Sequence, residues 1–129
     1  MKKYIEQIYL DKPILPTISF GKSDYKFDHG DDRGSDQGFA NMIFLDLTSL
    51  EKTILPCLIH DSLLFKNMDV PAVEHLIKLY SSFKKQIFIS IDEVSKYQQD
   101  IINTIEKSKF LKLDRDRLAF GIKWKQNKN

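Results

Sequence analysis

Residues 54–62 read ILPCLIHDS and residues 86–93 read QIFISIDE. Each is a short apolar run that ends in hydroxyl and acidic side chains. Runs of this length and composition suit strands of a parallel sheet, buried on both faces. The strands are expected over 56–60 and 86–91. Between them, residues 70–84 carry apolar positions at helical spacing, with Pro71 in the first turn, where its missing N–H is no loss. Strand, helix, strand in this order predicts parallel pairing through a helical crossover. Ligands of such sheets gather at the carboxyl ends of the strands. Asp61 and Ser90 fall at those ends.

The reading extends outward in both directions. Met42, Ile43, Leu45, Leu47 and Leu50 predict a helix over 39–53 with a broad buried face. Val94, Tyr97, Ile101, Ile102 and Ile105 predict a third helix over 92–107. Residues 110–113 and 118–124 read as closing strands, joined by a turn at 114–117. Upstream, 17–20 and 25–28 read as the two arms of a β-hairpin. Tyr4, Ile5, Ile8 and Tyr9 fall at helical spacing before Pro13 and Pro16 break the chain. The expected fold class is α/β: a small, mostly parallel sheet with helical crossovers plus a β-hairpin. The 129 residues are expected to form one domain. Within it, 1–12 ends an incoming helix, 13–28 is the hairpin, 29–38 is a polar, glycine-rich loop, and 39–129 is the α/β lobe.

With 42% hydrophobic and 29% charged residues, the composition is that of a globular protein rather than a disordered one. No apolar run approaches the ~20 residues that span a bilayer. The start, MKKYIEQIYLDKP, lacks an apolar signal core. Cys57 is the sole cysteine, which excludes an internal disulfide and a paired-cysteine metal site. A cytoplasmic setting without membrane contact is expected. The net charge of +2 does not by itself imply a nucleic-acid partner. The charge is uneven, however: residues 107–129 hold eight Lys or Arg against two Asp. That end is either a solvated face or a phosphate contact.

Gly21, Lys22 and Ser23 imitate the tail of a phosphate-binding loop, G-x-x-x-x-G-K-[ST]. The pattern needs Gly at position 16, where this chain has Pro16, and a helix after the Lys-Ser pair. Residues 25–28 instead read as a strand, so the tripeptide is expected to be a hairpin turn. Asp28, His29, Asp31, Asp32, His60 and Asp61 raise a second option, a hard-cation site for metal-dependent hydrolysis. A solvated acidic loop accounts for the first four as well. His75 reads as a surface or half-buried structural residue.

Three features recur at meaningful spacing. Gly34, Ser35, Asp36, Gln37 and Gly38 lead into a helix, whose N-terminus offers amides and a positive dipole end to an anion; a simple helix cap is the alternative. Asp61 ends one strand and Ser90 ends the next. Together they resemble the C-terminal lobe of an ABC ATPase head of the SMC type. The resemblance implies that Ser35 is the signature serine, with Gln37, Gly38 and Ser90 also facing nucleotide. It implies that Asp61, 26 positions after Ser35, is the Walker B aspartate holding Mg²⁺ through water. Ser62 then stands at the catalytic position, Asp69 is the D-loop aspartate, and Ile91 falls at the switch position. The stretches SDQGFANMIFLDL, PCLIHDSLLFKNMD, KKQIFISIDE and DRLAFGIKW are similar to a conserved domain of uncharacterised function. That domain ends certain SMC-like bacterial ATPases, some of them parts of multi-component defence-type operons; the likeness covers roughly residues 4–124.

The chain departs from the ATPase pattern at several points. Ser62 replaces the Glu that polarises the attacking water. Ser90, Ile91 and Asp92 stand where the switch His belongs. The signature carries Asp36 and Gln37 in place of two glycines. His60 precedes Asp61, so its side chain is expected on the other strand face. Asp92 or Glu93 are the candidates to approach from the next strand end. ATP and Mg²⁺ are expected only in a head completed by a Walker A lobe of the same or a partner chain, as a head–head dimer. Any nucleic-acid contact is expected only through the parent complex, whose substrate, DNA, RNA or protein, the sequence leaves open. The chain alone is not expected to turn over ATP. The alternative is an ATPase-like lobe without chemistry that serves assembly.

Overall fold

The computed structural model describes residues 2–8, 16–28, 35–114 and 117, with the side chains of residues 7 and 35–37 also left aside. Chain order is α1 (Lys2–Ile8), β1 (Thr17–Phe20), β2 (Tyr25–Asp28), α2 (Ser35–Lys52), β3 (Cys57–His60), α3 (Leu63–Lys66), α4 (Val70–Ser81), β4 (Gln86–Ile89), a 3₁₀ turn (Val94–Lys96) and α5 (Gln99–Ser108). The fold is α/β, with a small antiparallel hairpin, a parallel strand pair and helices.

The hairpin pairs Phe20 with Tyr25 and Thr17 with Asp28. Gly21 N–H donates to the Asp24 carbonyl at 2.8 Å. A Cβ at Gly21 would lie 1.9 Å from Asp24 Oδ1, the tip of a flexible side chain, so a larger residue here requires that side chain to turn away. Lys22 and Ser23 occupy this turn, as the sequence predicted, and a strand rather than a helix follows them directly.

β3 and β4 pair in parallel, from Cys57 opposite Gln86 to His60 opposite Ile89. The ladder continues through Ser90 N–H to the His60 carbonyl at 3.0 Å. Alternation places Leu58, His60, Ile87 and Ile89 toward the helices, and Ile59 and Phe88 away from them. Burial on both faces is therefore corrected: Ile59 is 74% exposed and Phe88 36%. In this two-stranded sheet, helices cover one face. The other carries a T-shaped contact between Phe88 and Phe110, with ring centroids 5.8 Å apart.

The core joins α1, α2 and α4. Ile5, Phe44, Leu47, Leu50 and Leu76 are fully buried. Tyr4 and Phe83 meet in a tilted ring contact at 5.5 Å, fixing α1 to the chain just after α4. Phe65, Tyr97 and Ile101 complete the cluster. Such burial stabilises by about 25 cal/mol per Å² of apolar surface.

Three further expectations are corrected. α2 begins at Ser35, four residues before the predicted start, so residues 35–38 are helix rather than loop; residues 29–34 lie outside the described residues. The predicted helix over 92–107 is divided. Buried Glu74 on α4 accepts the Gln98 backbone N–H at 2.6 Å. Gln98 is thereby held extended, with ψ 155°, and α5 starts only at Gln99. Finally, residues 110–113 form no strand. The turn after them is present, since Asp114 and Arg117 exchange backbone hydrogen bonds at 3.2 and 3.3 Å. The predicted strand 118–124 lies outside the described residues. Among the described residues no helix is long and apolar enough to cross a membrane.

Candidate functional site

The carboxyl ends of β3 and β4 bring together Asp61, Ser62, Lys66, Ser90 and Asp92. Asp61 comes directly after β3. Its Oδ1 accepts the Ser62 backbone N–H at 2.7 Å and lies 3.3 Å from the Ser62 hydroxyl. Asp61 thus closes the strand-to-helix turn as well as standing at the strand end. Ser62 is half-buried and precedes α3, a single turn that the sequence reading missed. That turn carries Lys66 back over the strand ends, where Nζ meets Asp92 Oδ2 at 2.9 Å.

These contacts set the electrostatics. The Lys66 hydrogen bond, and then that of the Ser62 hydroxyl, hold the Asp92 carboxyl below the usual range. The same Asp92 contact raises Lys66. Beneath them lies a pocket of about 20 Å³, lined by Ser62, Phe65, Lys66, Ile91, Asp92, Glu93, Lys96 and Tyr97. That volume accommodates one water.

Of the residues predicted from sequence, Asp61, Ser62 and Ser90 thus converge. Ser35 and Gln37 are placed by backbone alone, in the first turn of α2. Gly38 is in the same helix, with open space where a Cβ would stand. Asp69 is the N-cap residue of α4, but only its carbonyl takes part, accepting Val73 N–H at 3.0 Å. Ile91 lines the small pocket and offers no polar group. His75 is exposed, as a structural surface residue.

His60 is 2% exposed and lies between two partners on the helical side of the sheet. Nδ1 is 2.6 Å from the Tyr80 hydroxyl and Nε2 is 3.2 Å from Asp46 Oδ2. Burial, and then the charge of Asp46, raises Tyr80 well above a phenol's usual range. The Asp46 carboxylate can only accept, so Nε2 carries the imidazole proton toward it, and the Tyr80 O–H donates to Nδ1. This chain of bonds ties β3 to α2 and α4 one residue before Asp61. It also removes His60 from any hydrolytic metal site. Asp28 pairs with Lys26 at 3.2 Å, while His29, Asp31 and Asp32 lie outside the described residues. No group of three or more His, Cys, Asp or Glu among the described residues is arranged to hold a metal.

A single strand-end carboxylate nonetheless fits Mg²⁺, which keeps several waters and takes one or two protein oxygens. Sequence reasoning missed Lys66, Tyr80 and Asp46. Tyr80 had a signal: a Tyr on an apolar helix stripe needs a polar partner, and a His at a predicted buried position is one.

Residues 4–124 match the model of a family described as "Uncharacterised protein conserved in bacteria (DUF2326)". The match covers nearly the whole chain, and the chain belongs to that family. No curated protein and no solved structure matches it.

Proposed function

We propose that this member of a conserved bacterial family is the C-terminal lobe of an SMC-like ABC ATPase head. In this reading it supplies a signature-type helix N-terminus and a Walker B-type aspartate to an ATP site. A Walker A lobe of the same or a partner chain completes that site. The observation that carries the reading is the convergence of Asp61, Ser62, Ser90 and Asp92 at the carboxyl ends of the parallel pair β3–β4. That is where open α/β sheets bind ligands. Two features add support. α2 begins at Ser35 itself, so the amides of its first turn are available to a phosphate. The chain then runs through β3, a D-loop-like turn and α4 to β4, the order expected of such a lobe.

In the assembled head, Ser35, Gln37 and Gly38 present α2's amides to the nucleotide of the opposing head. Asp61 orients the Mg²⁺ water shell of the nucleotide held by the Walker A lobe, and Ser90 faces the same nucleotide. Mg²⁺ supplies charge neutralisation on the phosphates. Both sides of the site are needed, so ATP bridges two heads. The experiment mixes the chain with its Walker A lobe and measures association by sedimentation. Association should require ATP, and Ser35→Arg or Asp61→Ala should abolish it. Association that survives both substitutions refutes the reading.

A second reading, an assembly module without chemistry, is favoured by one observation: the open sheet face of Ile59, Phe88 and Phe110. An apolar patch of this kind marks an interaction surface. Stable assembly without ATP turnover would favour it.

A further inference from the structure

We infer that residues 118–124 occupy an apolar groove along the free edge of β4, so that this chain's own C-terminal segment extends the β3–β4 sheet. The inference is independent of the ATPase reading. β4 pairs with β3 on one edge only. Beside its other edge lies a groove of about 420 Å³, whose apolar lining includes Ile87, Ile89, Ile91, Ile105, Phe110 and Leu111. Gln86 to Ile89 all line it. Successive strand residues point to opposite faces, so a groove that touches all four runs along the backbone edge. Such an edge offers N–H and C=O groups to a further strand. Two paired strands are marginal by themselves, and parallel pairs are ordinarily covered. Ile59, on β3, does not line this groove and stays open.

Direction, pattern and reach choose the occupant. Asp114 and Arg117 exchange both backbone hydrogen bonds, and the Asp114 carboxylate also accepts the Arg117 N–H at 2.9 Å. That is the closing pair of a two-residue hairpin loop, so the chain leaving Arg117 is aimed back along 110–113. Phe110 and Leu111 already line the groove, and Phe110 is held there against Phe88. Residues 118–124 read LAFGIKW. An extended segment of this sequence has Leu118, Phe120, Ile122 and Trp124 on one face and Ala119, Gly121 and Lys123 on the other. Continuing the register of 114 with 117 sets Leu118 opposite Leu113 and Phe120 opposite Leu111, apolar against apolar. Leu111 and Leu113 are 59% and 53% exposed and gain cover by this pairing. Seven extended residues reach about 23 Å, against about 13 Å for the four of β4. The cations at the groove are engaged, Lys85 by the Leu50 and Thr53 carbonyls and Lys109 by Glu106, so a basic segment meets an apolar seat rather than bare charge.

Trp124 is the only tryptophan, so indole fluorescence of the 129-residue chain reads the segment directly. An indole seated in the groove leaves water. Its emission should be blue-shifted from that of free tryptophan, and acrylamide should quench it more slowly. Leu111→Asp alters an exposed rim residue and should return the emission to the red while helical circular dichroism is kept. Parity supplies a sharper readout. Phe120→Ser and Ile122→Ser should each release Trp124, whereas Lys123→Ser, on the opposite face, should leave it shielded. Amide exchange reports on the other partner: Phe120→Ser should speed exchange over residues 86–89 about tenfold while α4 stays protected, and Lys123→Ser should not. Sedimentation separates this segment from that of a second copy, since shielding within one chain persists in the monomer on dilution. Emission like that of free tryptophan, equal release by Lys123→Ser and Phe120→Ser, or exchange over 86–89 indifferent to Phe120→Ser would each overturn the inference. Shielding that vanishes as a dimer dissociates would also overturn it and assign the groove to a second copy.

Discussion

Replacing Tyr80 by Phe removes one oxygen and little else. The ring keeps its place beside Phe65, at 6.3 Å between centroids. The loss is the hydrogen bond to His60 Nδ1, leaving a buried ring nitrogen without its donor. Stranding a buried acceptor costs about 1–3 kcal/mol. Unfolding entropy near 2.1 cal/mol/K per residue, over 129 residues, comes to about 0.27 kcal/mol/K. The expected drop in melting temperature is therefore about 4–11 °C. Asp46→Asn acts on the other nitrogen of the same ring and should cost much less. The Asp46 carboxylate is 45% exposed, water competes for it, and such partners contribute only about 0–1 kcal/mol. Differential scanning calorimetry of the two variants decides the order. If Asp46→Asn proves the more damaging, or Tyr80→Phe melts with the parent, then His60 is not held by Tyr80 and the account of how β3 is fixed is wrong.

Other perturbations act on single contacts. Lys85 Nζ donates to the carbonyls of Leu50 and Thr53 at 2.7 and 2.6 Å, closing the end of α2. Lys85→Met should lower stability by about 1–3 kcal/mol and speed amide exchange over residues 50–55. Glu74→Ala frees Gln98, so exchange should rise through the first turn of α5 while α4 stays protected. The Lys66 contact holds Asp92 low and the Lys78 contact does the same for Asp100. Depressed carboxyl groups stabilise the fold above their unfolded value of about 3.9 and lose that contribution as pH falls through the folded value. Acid titration should show this loss below about pH 4, and the double variant Asp92→Asn, Asp100→Asn should flatten it. Ile59→Lys should leave the melt of the chain unchanged but weaken assembly with the partner lobe, read by sedimentation.

β1 to β4 and most helices were legible because their signals are local. Periodicity over 70–84 reports one face of α4, and the runs at 57–60 and 86–89 report β3 and β4. The errors share a different origin. Nothing near Gln98 in the sequence says that Glu74, 24 positions earlier, will take its amide and divide the helix. The four-residue helix carrying Lys66 is too short for any period to show. Apolar runs suggested strands buried on both faces, yet a pair with helices on one side leaves Ile59 and Phe88 outside. At the site, Asp61, Ser62 and Ser90 were legible as strand-end residues. The Lys66–Asp92 bond was not, because it joins two elements whose approach depends on α3.

The central claim is that α2's first turn and the β3 strand end both face nucleotide in the assembled head, the first across to the opposing head and the second within its own. Hydrogen exchange on the assembled head, with and without ATP, tests it most directly. Slowed exchange at the amides of residues 35–38 and 61–62 together, abolished by Asp61→Ala, is the predicted result. Assembly in which neither segment responds to ATP would contradict it.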